Sequence, residues 1–75
     1  MNTVTFRYGL GREIVRDIPA NQTLRDILGN QEIRAGLQLP ENVSAVVDGR
    51  TLSANDTFND GDVVTFEKQA AAKAA

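Results

Sequence analysis

The stretch Thr57-Phe58-Asn59-Asp60-Gly61-Asp62-Val63-Val64-Thr65-Phe66 constrains what this chain can fold into more than any other. Asn59-Asp60-Gly61-Asp62 is tight-turn chemistry, with Gly61 free to take positive φ. The turn feeds a β-branched strand in which Val64 and Phe66 face one side and Val63 and Thr65 the other. Although this strand comes last in the chain, it is expected in the middle of the sheet.

The fold has to hold by packing alone. There is no cysteine for a disulfide, and neither cysteine nor histidine for a zinc site. At 75 residues the chain is one small domain whose core is a single layer of side chains. Its 24% charged and 41% hydrophobic content is globular rather than disordered. The eight basic residues are scattered singly and the net charge is −2, so no basic run follows a phosphate backbone and nucleic acid is not expected as a partner. No apolar run is long enough to span a membrane, and Met1-Asn2-Thr3 lacks the features of a secretion signal. A cytoplasmic protein, or one assembled from the cytoplasm into a larger particle, is the expectation.

From Thr3 to Tyr8 the chain alternates, with Val4, Phe6 and Tyr8 on one face and Thr3, Thr5 and Arg7 on the other. Gly9-Leu10-Gly11-Arg12 connects to a second strand, Glu13 to Ile18, closed by Pro19. If Ile14 and Ile18 face the core, Arg16 shares their side, which marks this strand as a sheet margin. Thr23 is then a helix N-cap with Asp26 placed to complete a capping box, and Leu24, Ile27 and Leu28 form a helical stripe. Gly29-Asn30 breaks the helix. Asn30 caps a second segment through Ala35, which Gly36 is expected to end, with Ile33 and Leu37 continuing the buried side. Val43 to Val47 reads as a third strand. Asp48-Gly49 turns it back into a short fourth strand, Arg50-Thr51-Leu52. The reading divides the chain into a domain over 1–68 and an Ala-rich tail over 69–75, expected to be a frayed spacer or to order on a partner.

Ile18-Pro19-Ala20-Asn21-Gln22-Thr23-Leu24 leads into the helix, Val47-Asp48-Gly49-Arg50 forms the second hairpin, and Phe58-Asn59-Asp60-Gly61-Asp62-Val63-Val64 forms the last turn. With the order hairpin, helix, hairpin, final strand, these segments resemble the ubiquitin-like β-grasp fold, and within it the small sulfur-carrier proteins of thiamin and molybdopterin biosynthesis. The resemblance covers roughly residues 3 to 68. It implies an α+β fold, β-β-α-β-β-β, in which a mixed sheet of four to five strands wraps one broken helix and the last strand lies parallel to the first. In the carriers, two terminal glycines carry the carboxylate that is adenylated and thiocarboxylated. Here Ala74-Ala75 stand at that place, so the resemblance implies the domain more directly than the carrier activity.

Asp56, Asp60 and Asp62 lack the order of a calcium loop and read as turn residues. Gly9-Leu10-Gly11 joins two strands rather than opening a helix, so it is a hairpin and not a phosphate cradle. No catalytic, cofactor or metal site is expected, and no small-molecule substrate. The informative surface is the outer sheet face, where Thr5, Arg7, Val46, Val63 and Thr65 are candidates for contact with a protein partner, flanked by Thr3 and Ser44. Simple strand propensity is the competing explanation for the valines there. The edge of the Glu13 to Ile18 strand and the tail, with Lys73, Ala74 and Ala75, are further candidate contacts. The expected role is a non-catalytic protein-binding module or structural assembly subunit. The alternative is a sulfur carrier or ubiquitin-like modifier with an altered C-terminus.

Overall fold

The computed structural model describes residues 1–68, and the tail candidates Lys73, Ala74 and Ala75 lie outside them. β1 (Asn2–Tyr8) and β2 (Glu13–Ile18) pair antiparallel across the glycine hairpin, with Gly9 and Gly11 at φ +66° and +84°. The chain then forms helices α1 (Leu24–Leu28) and α2 (Gln31–Leu37). It returns as β3 (Val43–Val47), β4 (Arg50–Thr51) and β5 (Val63–Lys68). The sheet order is β2-β1-β5-β3-β4. The last strand therefore lies at the centre, parallel to β1 and antiparallel to β3, and β2 is an edge, as the residue pattern predicts.

A parallel pair needs a crossover, and the two helices supply it across one face of the sheet. Thr23 caps α1: its hydroxyl accepts from the Asp26 N–H while the Asp26 carboxylate accepts from the Thr23 N–H. Asn30 caps α2, its side-chain oxygen accepting from Glu32 N–H (2.9 Å) and Ile33 N–H (3.2 Å). One expectation fails here. Gly36 does not end the second helix, which continues to Leu37 and stops at Gln38, held at φ 54°. Leu37 is fully buried, and that burial holds the two extra residues in the helix. Gly36 instead rests against Ile14, whose methyl carbons would lie 3.8 Å from a Cβ built at that glycine.

Val4, Phe6, Val64 and Phe66 come from the two central strands, and Leu24, Ile27, Ile33 and Leu37 from the helices. Together with Ile18, Ala45, Val47, Leu52 and Phe58 they enclose the core, and among the described residues none of the buried ones is polar or charged. Phe6 meets Phe58 edge-on at 5.8 Å and stacks near Phe66 at 6.0 Å. These are the spacings at which aromatic pairs add to simple burial.

The loop before β5 does more than connect. Leu24 N–H donates to Asp56 O (2.9 Å) and Arg25 N–H to Ala54 O (3.0 Å), so two free donors of α1's first turn find loop carbonyls. Arg34 acts likewise at the far end of the helices, donating to Leu28 O (3.2 Å) and Pro40 O (3.0 Å). The sheet, the loop and the helix pair thereby become one unit.

Ile27 and Phe66 sit at the centre of this layer. We expect Ile27→Ala and Phe66→Ala each to lose about 2–5 kcal/mol of unfolding free energy in urea titrations, because each leaves a cavity that a single-layer core cannot close. A midpoint unchanged from the parent chain for either variant would mean that the side chain is not in the core.

Candidate functional site

Register fixes which side chains share the solvent side of the sheet. Val63 and Thr65 alternate with the buried Val64 and Phe66 on β5 and are exposed. Thr5 lies opposite both Val63 and Val15, so β2, β1 and β5 contribute one row, Val15, Thr5, Val63. A second row crosses all five strands as Glu13, Arg7, Thr65, Val46 and Thr51. All five candidates, Thr5, Arg7, Val46, Val63 and Thr65, thus lie on one face.

Val46 faces Thr65, and Val63 is its diagonal neighbour across β3 and β5. One exposed residue of this face was not among the expected candidates. Val15, at 51% exposure, belongs to the patch as much as Val63 at 40%. Sequence reasoning missed it, although alternation on β2 with Ile14 and Ile18 inward already pointed Val15 outward. Thr5 and Val46 are half-buried between their neighbours. The centre of the face is therefore β-branched carbon with hydroxyl groups, and charge lies at its margin. Arg7 Nε and Glu13 Oε1 meet at 3.5 Å there, both about half exposed, a pair of modest energetic weight.

Leu10 is a further exposed apolar side chain. It stands at the hairpin tip between Gly9 and Gly11, at the same end of the sheet as Lys68, since Tyr8 lies opposite Phe66. Its position between two glycines of positive φ was the available signal, and the hairpin reading absorbed it.

The acidic turn residues are occupied with backbone. Asp56 Oδ2 accepts from Ser53 N–H (2.8 Å), Asp60 Oδ1 from Thr3 N–H (2.7 Å) and Asp62 Oδ2 from Asn59 N–H (2.8 Å). This is the turn chemistry read from the sequence. Among the described residues no group of three or more His, Cys, Asp and Glu is placed to hold a metal ion, and no pocket is present. No helix among them is long and apolar enough to cross a membrane.

No protein-family model matches the chain, and no curated protein sequence matches it. Solved structures do. A ubiquitin from Caldiarchaeum subterraneum superposes with a TM-score of 0.72 at 18% identity, covering 96% of this chain and 98% of that one. SAMP1 from Haloferax volcanii gives 0.69 at 11% identity, covering 96% and 100%. A Pyrococcus furiosus protein assigned as molybdopterin converting factor, subunit 1, gives 0.64 at 23% identity, covering 88% and 95%. At these identities the likeness shows the fold alone, which is the ubiquitin-like β-grasp.

An outer-face residue can change without touching the core, whereas its neighbour along the strand cannot. We expect Val63→Glu to shift unfolding free energy by less than about 1 kcal/mol, within the range of strand propensities. Val64→Glu, one residue along, should prevent folding, because it places a carboxylate in the core without a partner. Circular dichroism melts of the two variants test the pair. Equal tolerance of both would contradict the assignment of faces.

Proposed function

We propose that this β-grasp domain works as a protein-docking module, non-catalytic in itself, serving as a binding domain or an assembly subunit. The observation that supports this reading is the continuous β-branched face made by Val15, Thr5 and Val63, with Val46 and Thr65 beside them. Val63 on the central strand and Val15 on the edge strand, with Thr5 between them, present apolar surface to solvent on a sheet whose other face already has its core. Strand propensity alone accounts for β-branched residues, but not for their grouping into one row rimmed by Arg7, Glu13 and Glu67. A patch with an apolar centre and a charged rim has the composition of a protein-binding surface. Its partner in this reading is a protein, with Val63 at the centre of the contact and Thr5, Val15, Val46 and Thr65 around it.

A second reading draws on the structural neighbours. Molybdopterin converting factor subunit 1 and SAMP1 share this fold at full or nearly full length, which favours a sulfur-carrier or modifier role as the alternative. The two readings differ in whether the chain is chemically modified.

Affinity capture with the parent chain and with Val63→Glu, compared by quantitative mass spectrometry, separates docking from a surface without a role. The expected result is a partner that the parent binds and the variant loses, while the variant keeps its fold. Retention of every bound protein by Val63→Glu would remove this face. In parallel, incubation with ATP and a sulfur-carrier activating enzyme followed by intact-mass measurement should leave the chain's mass unchanged. A gain of an adenylate or a sulfur atom would favour the carrier reading instead.

A further inference from the structure

The dipeptide Asp-Gly occurs at Asp48-Gly49 and at Asp60-Gly61, each time in an exposed turn with the glycine at positive φ, +78° and +88°. In such a pair no side chain shields the glycine nitrogen, so it can attack the aspartate side-chain carbonyl carbon and close a five-membered imide. The other aspartates, Asp17, Asp26, Asp56 and Asp62, precede Ile, Ile, Thr and Val, whose branched carbons crowd that nitrogen.

The fold treats the two Asp-Gly pairs differently. Gly61 N–H donates to Thr3 O at 2.8 Å, and the Asp60 carboxylate accepts from Thr3 N–H at 2.7 Å. Nucleophile and electrophile are thus both tied to β1, by the bonds that set the sheet register. The carboxylates of Asp17, Asp26, Asp56 and Asp62 also accept hydrogen bonds. Asp48 is the exception. Among the described residues neither its carboxylate nor Gly49 N–H takes part in a hydrogen bond, and a Cβ built at Gly49 would meet nothing within 4 Å. Asp48 itself stands at φ 52°, a backbone that a residue other than glycine adopts at a cost. The strands on either side do little to keep this turn shut. β4 lies at the margin of the sheet, has two residues, both exposed, and pairs with β3 only through Val46 with Thr51 and Val47 with Arg50. A ladder that short opens locally more readily than the sheet centre.

We propose that Asp48-Gly49 is a self-modification site at which the chain converts to isoaspartate, while Asp60-Gly61 stays intact. The Gly49 nitrogen forms a bond to Asp48 Cγ, its proton and the carboxyl hydroxyl leave as water, and a cyclic imide joins the two residues. Water then adds to one of the two imide carbonyls. Addition at the side-chain carbonyl breaks the new C–N bond and restores aspartate. Addition at the main-chain carbonyl breaks the original peptide C–N bond and leaves the backbone running through the Asp48 side chain. One water is lost and one gained, nothing is oxidised or reduced, and no co-reactant is needed. The product has one more main-chain atom in the turn, so the two-residue connection that set Val47 opposite Arg50 no longer fits. Leu52, buried and donating its N–H to Ala45 O at 2.8 Å, confines the change to β4. The site does not rest on the docking reading, although Val46 of the outer face would lose Thr51 beside it.

The test is incubation of the full chain at neutral pH in water enriched in ¹⁸O, followed by trypsin digestion in ordinary water and mass spectrometry. Arg34, Arg50 and Lys68 bound the tryptic peptides 35–50 and 51–68, so the two Asp-Gly pairs are read separately. Peptide 35–50 is expected to gain heavy oxygen and to divide into aspartate and isoaspartate forms, told apart by electron-transfer fragmentation. Peptide 51–68 should label about tenfold or more slowly, because the two Thr3 hydrogen bonds have to break first. In urea, where those bonds are gone, the two peptides should label at similar rates. Asp48→Glu, whose ring would need six members, should abolish labelling of its peptide. Absence of label from peptide 35–50 in the folded parent chain, equal or faster labelling of peptide 51–68 there, or a difference in urea as large as in the folded chain would overturn the proposal.

Discussion

Two parallel strands cannot be joined by a tight hairpin, so the β1–β5 pair is held by contacts outside its own connection. The Asn59 to Asp62 turn supplies them. Thr3 N–H donates to the Asp60 carboxylate at 2.7 Å, Gly61 N–H donates to Thr3 O at 2.8 Å, and Thr5 N–H donates to Asp62 O at 3.0 Å. Asn2 adds a side-chain donor to Phe58 O at 2.8 Å. These bonds join the beginning of the chain to the beginning of its last strand and fix the register Thr5 to Val63. Once that register is set, Phe6 and Phe66 can approach under the helices, and Thr5, Val63 and Thr65 fall on the opposite face.

Much of this arrangement was legible locally. A capping box, an Asx cap, an Asp-Gly hairpin and period-two alternation are short-range signals, and each acts through neighbours in the chain. Thr23, Asn30 and the Asp48-Gly49 turn, with φ of 52° and 78°, behave as those rules require. Arg16 on the inward side of β2 correctly identified an edge. What was not legible depended on tertiary contact. Nothing in the residue type of Gly36 says that Leu37 beyond it will be buried, so the glycine read as a stop. The carbonyls of Ala54 and Asp56 that serve α1 carry no side-chain signal at all. On the outer face the candidates could be named from alternation, yet their neighbours across the sheet depend on register. The row through Val15 therefore emerged only from the pairing.

The sheet divides its labour by face and by margin. Among the described residues the inner face buries only apolar side chains, and with no cysteine in the chain the domain has no disulfide to add to that packing. The outer face puts β-branched carbon in the middle and charge at the rim. The β2 margin carries Glu13, Arg16 and Asp17, all exposed. This separation follows from period-two geometry: one residue along a strand exchanges the core for solvent, as Val63 and Val64 illustrate. Surface chemistry can then differ widely on a common scaffold. That is consistent with a chain that shares its fold with ubiquitin and with a molybdopterin converting factor subunit while sharing less than a quarter of their residues.

All of these assignments require β5 to lie between β1 and β3, parallel to the first and antiparallel to the second. Backbone nuclear Overhauser contacts in the uniformly labelled chain read that arrangement directly. Cross-peaks joining the Thr5 to Tyr8 backbone with the Val63 to Phe66 backbone in ascending order, together with descending contacts from Ser44 and Val46 to Glu67 and Thr65, are the expected result. Contacts that place β5 beside β2 or at the outer edge of β4, with none to β1, would contradict it.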